Sequence, residues 1–197
     1  VHLYEDHGRH FVNDLRGMFA AAIWDASSRS LTLARDRVGQ KPLYYYQDGE
    51  KFLFGSEIKA ILAHPNVNNE LDLQSVDAYL SLGMVPGPRS IYRNIKKLQP
   101  GHTATISTSG ETKLSRFWNY TPSIDDSIGE AEWLEGVRSK VEDATISHLV
   151  ADVPVGTFLS GGIDSTIVSS IAAENSNEPL RTFSIGFSDG YGGELPI

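Results

Sequence analysis

The chain of 197 residues is 40% hydrophobic and 21% charged, the balance of a globular protein with room for one large domain or two small ones. A net charge of −8, with 17 basic residues that form no run, argues against nucleic-acid binding, and no apolar stretch reaches the roughly 18–20 residues of a membrane span. The absence of cysteine excludes disulfides, thiolate metal sites and thiol nucleophiles in these residues and suits a cytoplasmic location.

In chain order, residues 11–16 place apolar side chains at helical spacing and stop at Gly17, so a helix is expected there. Residues 18–25 are almost wholly apolar and turn-bounded, which predicts a buried strand, and a second strand at 31–34 completes a hairpin. In the tight connection Arg35-Asp36-Arg37, Asp36 is expected to accept hydrogen bonds and to pair with an arginine. Tyr44-Tyr45-Tyr46 reads as a half-buried third strand, and Asp48-Gly49 as a hairpin turn into a fourth at 51–55. Ser56 and Glu57 cap a short helix over 58–63. Four strands in close succession indicate an antiparallel layer packed against helices.

Residues 71–80 are amphipathic, with Leu73, Val76 and Leu80 on one stripe and Gly83 as the stop. Residues 90–98 read as a short helix or turn. Strands at 102–106 and 113–118, joined at Ser109-Gly110, form a second hairpin. A Pro-, Ser- and Asp-rich run then divides the chain into 1–120, a linker at 121–129, and 130–197. A helix over 130–149 gathers Ala131, Leu134, Val137, Val141, Ala144 and His148 on one face, with His148 partly buried. A strand at 153–159, a glycine turn, a helix at 167–174 and a strand over 180–187 follow. That alternation opens a doubly wound parallel sheet, so the fold class is α+β followed by α/β.

The glycine turn carries the chemistry. Ser160-Gly161-Gly162-Ile163-Asp164-Ser165 joins a strand to a helix start, where free N–H groups and the helix dipole attract an anion and glycines let the backbone approach it. Asp164 would repel a phosphate unless a cation lay between them, which implies a divalent metal, Mg²⁺. No lysine follows the glycines, so this is not the common P-loop. The run resembles instead the S-G-G-x-D-S pyrophosphate loop of the ATP pyrophosphatases.

Further stretches extend the likeness over nearly the whole chain. Gly17-Met18-Phe19-Ala20, Ala34-Arg35-Asp36-Arg37-Val38-Gly39-Gln40-Lys41-Pro42-Leu43-Tyr44-Tyr45, Ser56-Glu57-Ile58-Lys59-Ala60-Ile61 and Asp152-Val153-Pro154-Val155-Gly156 resemble the glutamine-hydrolysing asparagine synthetases. The resemblance implies a partial N-terminal-nucleophile (αββα) antiparallel-sheet domain followed by the start of a doubly wound ATP pyrophosphatase domain. It implies an amide ligase that makes asparagine from aspartate, ATP and glutamine-derived ammonia through β-aspartyl-AMP. The alternatives are a ligase of the same build acting on another carboxylate, or a non-catalytic remnant.

By the same resemblance, Ser160, Gly161, Gly162 and Ser165 hold the pyrophosphate of ATP and Asp164 ligates Mg²⁺. Phe158 or Leu159 lines the adenine side, and Ile185 contacts adenine. For Phe158, Leu159 and Ile185 a plain core role is an equal reading. The family's cysteine nucleophile and the synthetase lysine have no counterpart in these residues. The chain begins at Val1 and ends at Ile197, and an internal fragment without turnover of its own is expected. A homodimer is the family's common state.

Overall fold

The computed structural model describes residues 1–49 and 51–186. The chain divides into two compact units with the boundary between Pro122 and Ser123.

The first unit opens with α1 (His2–His7) and a 3-10 helix, Gly8–Asn13. The helix expected at 11–16 therefore lies closer to the start of the chain and is of the tighter kind. Phe11 and Val12 are both buried, so their apolar character records a shared packing contact rather than an α-helical stripe. β1 (Ala20–Asp25) and β2 (Ser30–Arg35) form the expected hairpin, with Ala22 opposite Leu33 and Trp24 opposite Leu31, but β1 alternates exposed and half-buried residues instead of being buried. Asp25 closes its turn: Oδ1 accepts the Ser27 amide at 2.8 Å and the Ser27 hydroxyl at 2.6 Å.

β3 (Tyr44–Gln47) and β4 (Phe52–Gly55) pair antiparallel, then α2 (Ile58–Leu62), α3 (Leu73–Leu82), β5 (Ile95–Lys97), β6 (His102–Ser107) and β7 (Thr112–Arg116) follow. The early strands do not make one layer. They separate into two antiparallel sheets, β1-β2-β6-β7 and β4-β3-β5, so β1 and β7 border the first and β4 and β5 the second. Residues 90–98 contain strand β5 rather than a helix. Its three residues are fixed by pairing with β3, Ile95 opposite Tyr46, a contact that local pattern does not announce. Glu57 precedes α2 without a side-chain cap bond, and its carboxylate lies 2.7 Å from Lys59.

Period-two alternation explains the layers. Leu31, Leu33, Ala104 and Ile106 from the first sheet meet Tyr45 and Phe52 from the second in one apolar core. The back of the first sheet, Ala21, Ile23 and Ala34, is covered by Tyr4, Phe11 and Val12. The back of the second, Tyr46 and Ile95, is covered by Ile58, Ile61 and Leu62. The layer order is helix, sheet, sheet, helix: αββα. Gln47 ties the sheets directly, donating from Nε2 to the Gly110 carbonyl (2.6 Å) and accepting the Thr112 hydroxyl (2.8 Å).

α3 departs from expectation in its orientation. Leu73 and Leu80 are 73% and 78% exposed, while the buried residue is Ser75. Ser75 donates to Asp72, the N-cap, at 2.8 Å, and Asp72 also accepts the Gln74 amide at 3.2 Å. Spacing identifies an apolar face; it does not supply the surface that would cover it.

The second unit holds α4 (Glu130–His148), β8 (Gly156–Phe158), α5 (Ile163–Glu174) and β9 (Arg181–Phe183). Leu134 and Val137 of the expected α4 face are exposed, and Thr145 is its buried residue. His148 is exposed rather than partly buried, its Nδ1 2.7 Å from the Ala144 carbonyl. β8 and β9 pair in parallel, Phe158 opposite Phe183, which makes β8-α5-β9 a parallel βαβ unit. The strand expected over 180–187 is β9 in its described part; Phe187 lies outside the described residues. Among the described residues no helix is long and apolar enough to cross a membrane.

Candidate nucleotide site

Parallel pairing brings the C-terminal ends of β8 and β9 to the same edge, and residues 159–162 leave β8 there. The Leu159 amide donates to the Phe183 carbonyl at 2.9 Å, and the Ser184 hydroxyl donates back to the Leu159 carbonyl at 2.5 Å. Gly161 then takes φ 87°, a left-handed conformation that favours glycine. Gly162 is the N-cap of α5 and has no side chain to cap it.

The hydroxyls of the next turn fold back instead. Ser165 and Thr166 donate to the Gly162 carbonyl at 3.0 and 2.9 Å. Ser165 Oγ also accepts the Ser160 amide at 3.3 Å and lies 3.2 Å from Ser160 Oγ. Ser160, Gly161, Gly162 and Ser165 are thus gathered in one turn at the start of a helix of 12 residues. The amides of residues 163–165 have no intrahelical acceptor by the geometry of any helix start, and the dipole adds positive potential. This turn can hold a phosphate chain.

Asp164 is the second residue of α5 and is exposed. Among the described residues no three His, Cys, Asp or Glu side chains gather to hold a metal. One carboxylate at such a helix start fits Mg²⁺ rather than an all-protein cage, since Mg²⁺ keeps waters and binds through one or two carboxylates together with substrate phosphates. In this chain Phe158 and Ile185 are each 73% exposed and Leu159 is half-buried. The Phe158 ring tilts against that of Phe183, with centroids 6.3 Å apart.

Two supports of the turn escape a reading of the motif alone. Thr157 Oγ1 and Ser169 Oγ, 2.9 Å apart, tie the strand to the helix behind the loop. A Cβ on Gly156 would stand 2.8 Å from the Phe183 ring and 2.9 Å from the Arg181 carbonyl, so glycine lets β9 close on β8. The small residues Gly156 and Thr157 in an otherwise apolar run were the available signal.

In the first unit Asp36 is buried, and its two oxygens accept the amides of Gln40 and Lys41, each at 2.9 Å. The expected arginine pair does not form. Arg35 donates to the carbonyls of Gly39, Lys41 and Leu98, each at 2.7 Å, and Arg37 to that of Asn13 at 3.2 Å. Backbone amides already supply the donors a buried carboxylate needs, which frees both guanidiniums for carbonyls. Burial pushes the Asp36 carboxyl up, but amide bonds from Lys41 and Gln40 outweigh it and hold the group below the usual carboxylate range.

Residues 1–118 match the glutamine amidotransferase domain family, and residues 136–197 match the asparagine synthase family. The glutamine-hydrolyzing asparagine synthetase 3 of Bacillus subtilis is 40% identical over 199 residues, covering 96% of this chain and 31% of its own length. The putative glutamine-hydrolyzing asparagine synthetase 2 of Methanocaldococcus jannaschii is 36% identical over 196 residues, covering 96% of this chain and 37% of its own. A protein named amidase chyE, from Penicillium rubens, is 33% identical over 178 residues, with 88% of this chain and 26% of its own covered. The chain spans no more than 37% of the length of these relatives. With an amidotransferase match followed by an asparagine synthase match, the chain belongs to the glutamine-hydrolysing asparagine synthetase family.

Proposed function

We propose that this chain supplies the pyrophosphate-binding turn of an ATP-dependent ligase that makes asparagine from aspartate, ATP and glutamine-derived ammonia through β-aspartyl-AMP. The observation that carries this is the convergence of Ser160, Gly161, Gly162 and Ser165 on the N-terminus of α5 at the end of a parallel strand pair. Ser160 would donate to phosphate oxygens, Ser165 would do so on turning its one hydroxyl proton away from the Gly162 carbonyl, the free amides of the first turn would add to them, and Asp164 is the residue that would hold Mg²⁺. Phe158, Leu159 and Ile185 offer apolar surface to adenine. Mg²⁺, when bound, neutralises phosphate charge and favours departure of pyrophosphate.

Titration of the chain with Mg-ATP, repeated with Asp164→Asn, tests the site. Saturable binding that weakens at least tenfold in the variant is expected; equal binding by both forms sinks the assignment. The reaction is tested in the protein that carries this chain, by aspartate-dependent exchange of pyrophosphate into ATP. The alternative reading is a ligase of the same build acting on another carboxylate. Exchange supported by other carboxylates and not by aspartate decides for that reading.

A further inference from the structure

A cavity of about 330 Å³ opens in the first unit where α3 ends beside β3 and β5. Tyr44 and Lys97 are cross-strand partners in the second sheet and both line it. Gly83, at φ 70°, stops α3 and turns the chain so that Met84 and Val85 form a wall. Tyr79 of α3 and Ile58 of α2 supply further apolar surface.

The charge at this place is one-sided. Lys97 Nζ donates to the Val85 carbonyl at 2.5 Å. Desolvation, with the Arg35 cation nearby, holds the Lys97 pKa below the ordinary lysine value. Arg35 itself is bound to three carbonyls. Among the described residues neither cation meets a carboxylate. Carbonyl dipoles satisfy their N–H groups but leave the net positive charge in place, so an arriving anion offsets a desolvation cost that the fold already bears.

We propose that this cavity binds a small monocarboxylate with an aromatic or branched apolar body, its carboxylate on Lys97 Nζ and its body against Tyr44, Tyr79 and Met84. The reading is independent of the nucleotide turn. A volume at the lower end of the usual ligand range, mostly apolar walls and one cation suit such a molecule. Inorganic phosphate fits less well, because it wants several N–H donors and gains nothing from aromatic walls. A dicarboxylate would press its second charge against Ile58 or Met84 without a partner.

The test is calorimetric titration of the chain with 3-phenylpropionate, using 3-phenylpropionamide as the neutral counterpart. Saturable binding of the carboxylate at least tenfold tighter than the amide is expected, with the difference lost in Lys97→Met. Because that variant also removes the bond to Val85, a second measurement uses the unaltered protein. Modification of Lys97 by an amine-reactive reagent, located by peptide mass spectrometry, slows in the presence of the carboxylate and not of the amide. No saturable binding, equal affinity for the two probes, binding unchanged in the variant, or a modification rate unaffected by the carboxylate each overturns the proposal.

Discussion

Ser165 reaches back across the nucleotide turn to Ser160, with its Oγ 3.2 Å from the Ser160 hydroxyl and 3.3 Å from the Ser160 amide. Ser160 is therefore preset by Ser165 before any ligand arrives, while Ser165 must turn its own proton from the Gly162 carbonyl to donate. Preset donors lose less freedom on binding. Ser165→Ala removes one donor and the tie that orients the other. Pyrophosphate or Mg-ATP affinity is expected to fall about fivefold, since such a bond is worth about 1 kcal/mol. Ser165 is half-buried and tied to Gly162 and Ser160, so urea unfolding is expected to shift by up to about 1 kcal/mol. A loss of affinity in protein that remains folded is the signature to look for.

Asp36 gives a pH prediction. Its folded pKa is lowered, so its contribution is fully present above the unfolded value of about 3.9 and is lost as pH falls through the folded value. Other aspartates with lowered pKa, Asp25 and Asp72 among them, add to the same acid slope. The informative quantity is the difference between wild type and Asp36→Asn. Urea unfolding near pH 7 is expected to show a loss of about 1.5–3 kcal/mol in the variant, shrinking towards pH 2–3. A constant difference across that range contradicts the account.

Gly101 tests the backbone. It sits at φ 66°, and a Cβ there would stand 2.7 Å from the Trp118 carbonyl oxygen, a backbone atom that cannot swing aside. Its own carbonyl accepts the amides of Phe117 and Trp118, and its amide donates to the Asp36 carbonyl. Gly101→Ala is expected to cost at least about 1–3 kcal/mol from conformational strain, with the clash adding to it. Thermal unfolding measures the loss.

Leu33 and Leu80 form a contrasting pair. Leu33 is fully buried between the sheets, and Leu33→Ala is expected to cost about 3–5 kcal/mol. Leu80 is 78% exposed on α3, and Leu80→Ala is expected to stay within about 0.5 kcal/mol. Chemical denaturation of both variants checks whether α3's stripe is surface in solution.

The strands at Leu31, Tyr44 and Phe52 were legible because each stands in an alternating or apolar run bounded by turn residues. The turn at Ser160–Ser165 was legible because few other arrangements need two glycines, two serines and an aspartate before a helix. What escaped depends on partners remote in the chain. β5 exists because Tyr46 lies opposite Ile95, and α3 is turned by Ser75 and Asp72 against the stronger signal of Leu73 and Leu80. Asp36 was recognised as a hydrogen-bond acceptor, but charge complementarity suggested arginine where backbone amides stand. Thr157 and Ser169 meet only once a strand and a helix are side by side.

The position of β1 at the border of the first sheet has a practical consequence. Its outer row of peptide groups has no neighbour among the described strands, and Trp24 beside it is 58% exposed. Ala-Ala-Ala-Ile-Trp carries no charge and no proline, the devices that keep such borders from adhering to other chains. Purified in this form, the polypeptide is expected to scatter light increasingly with concentration, and Ala22→Lys to raise the concentration at which turbidity begins.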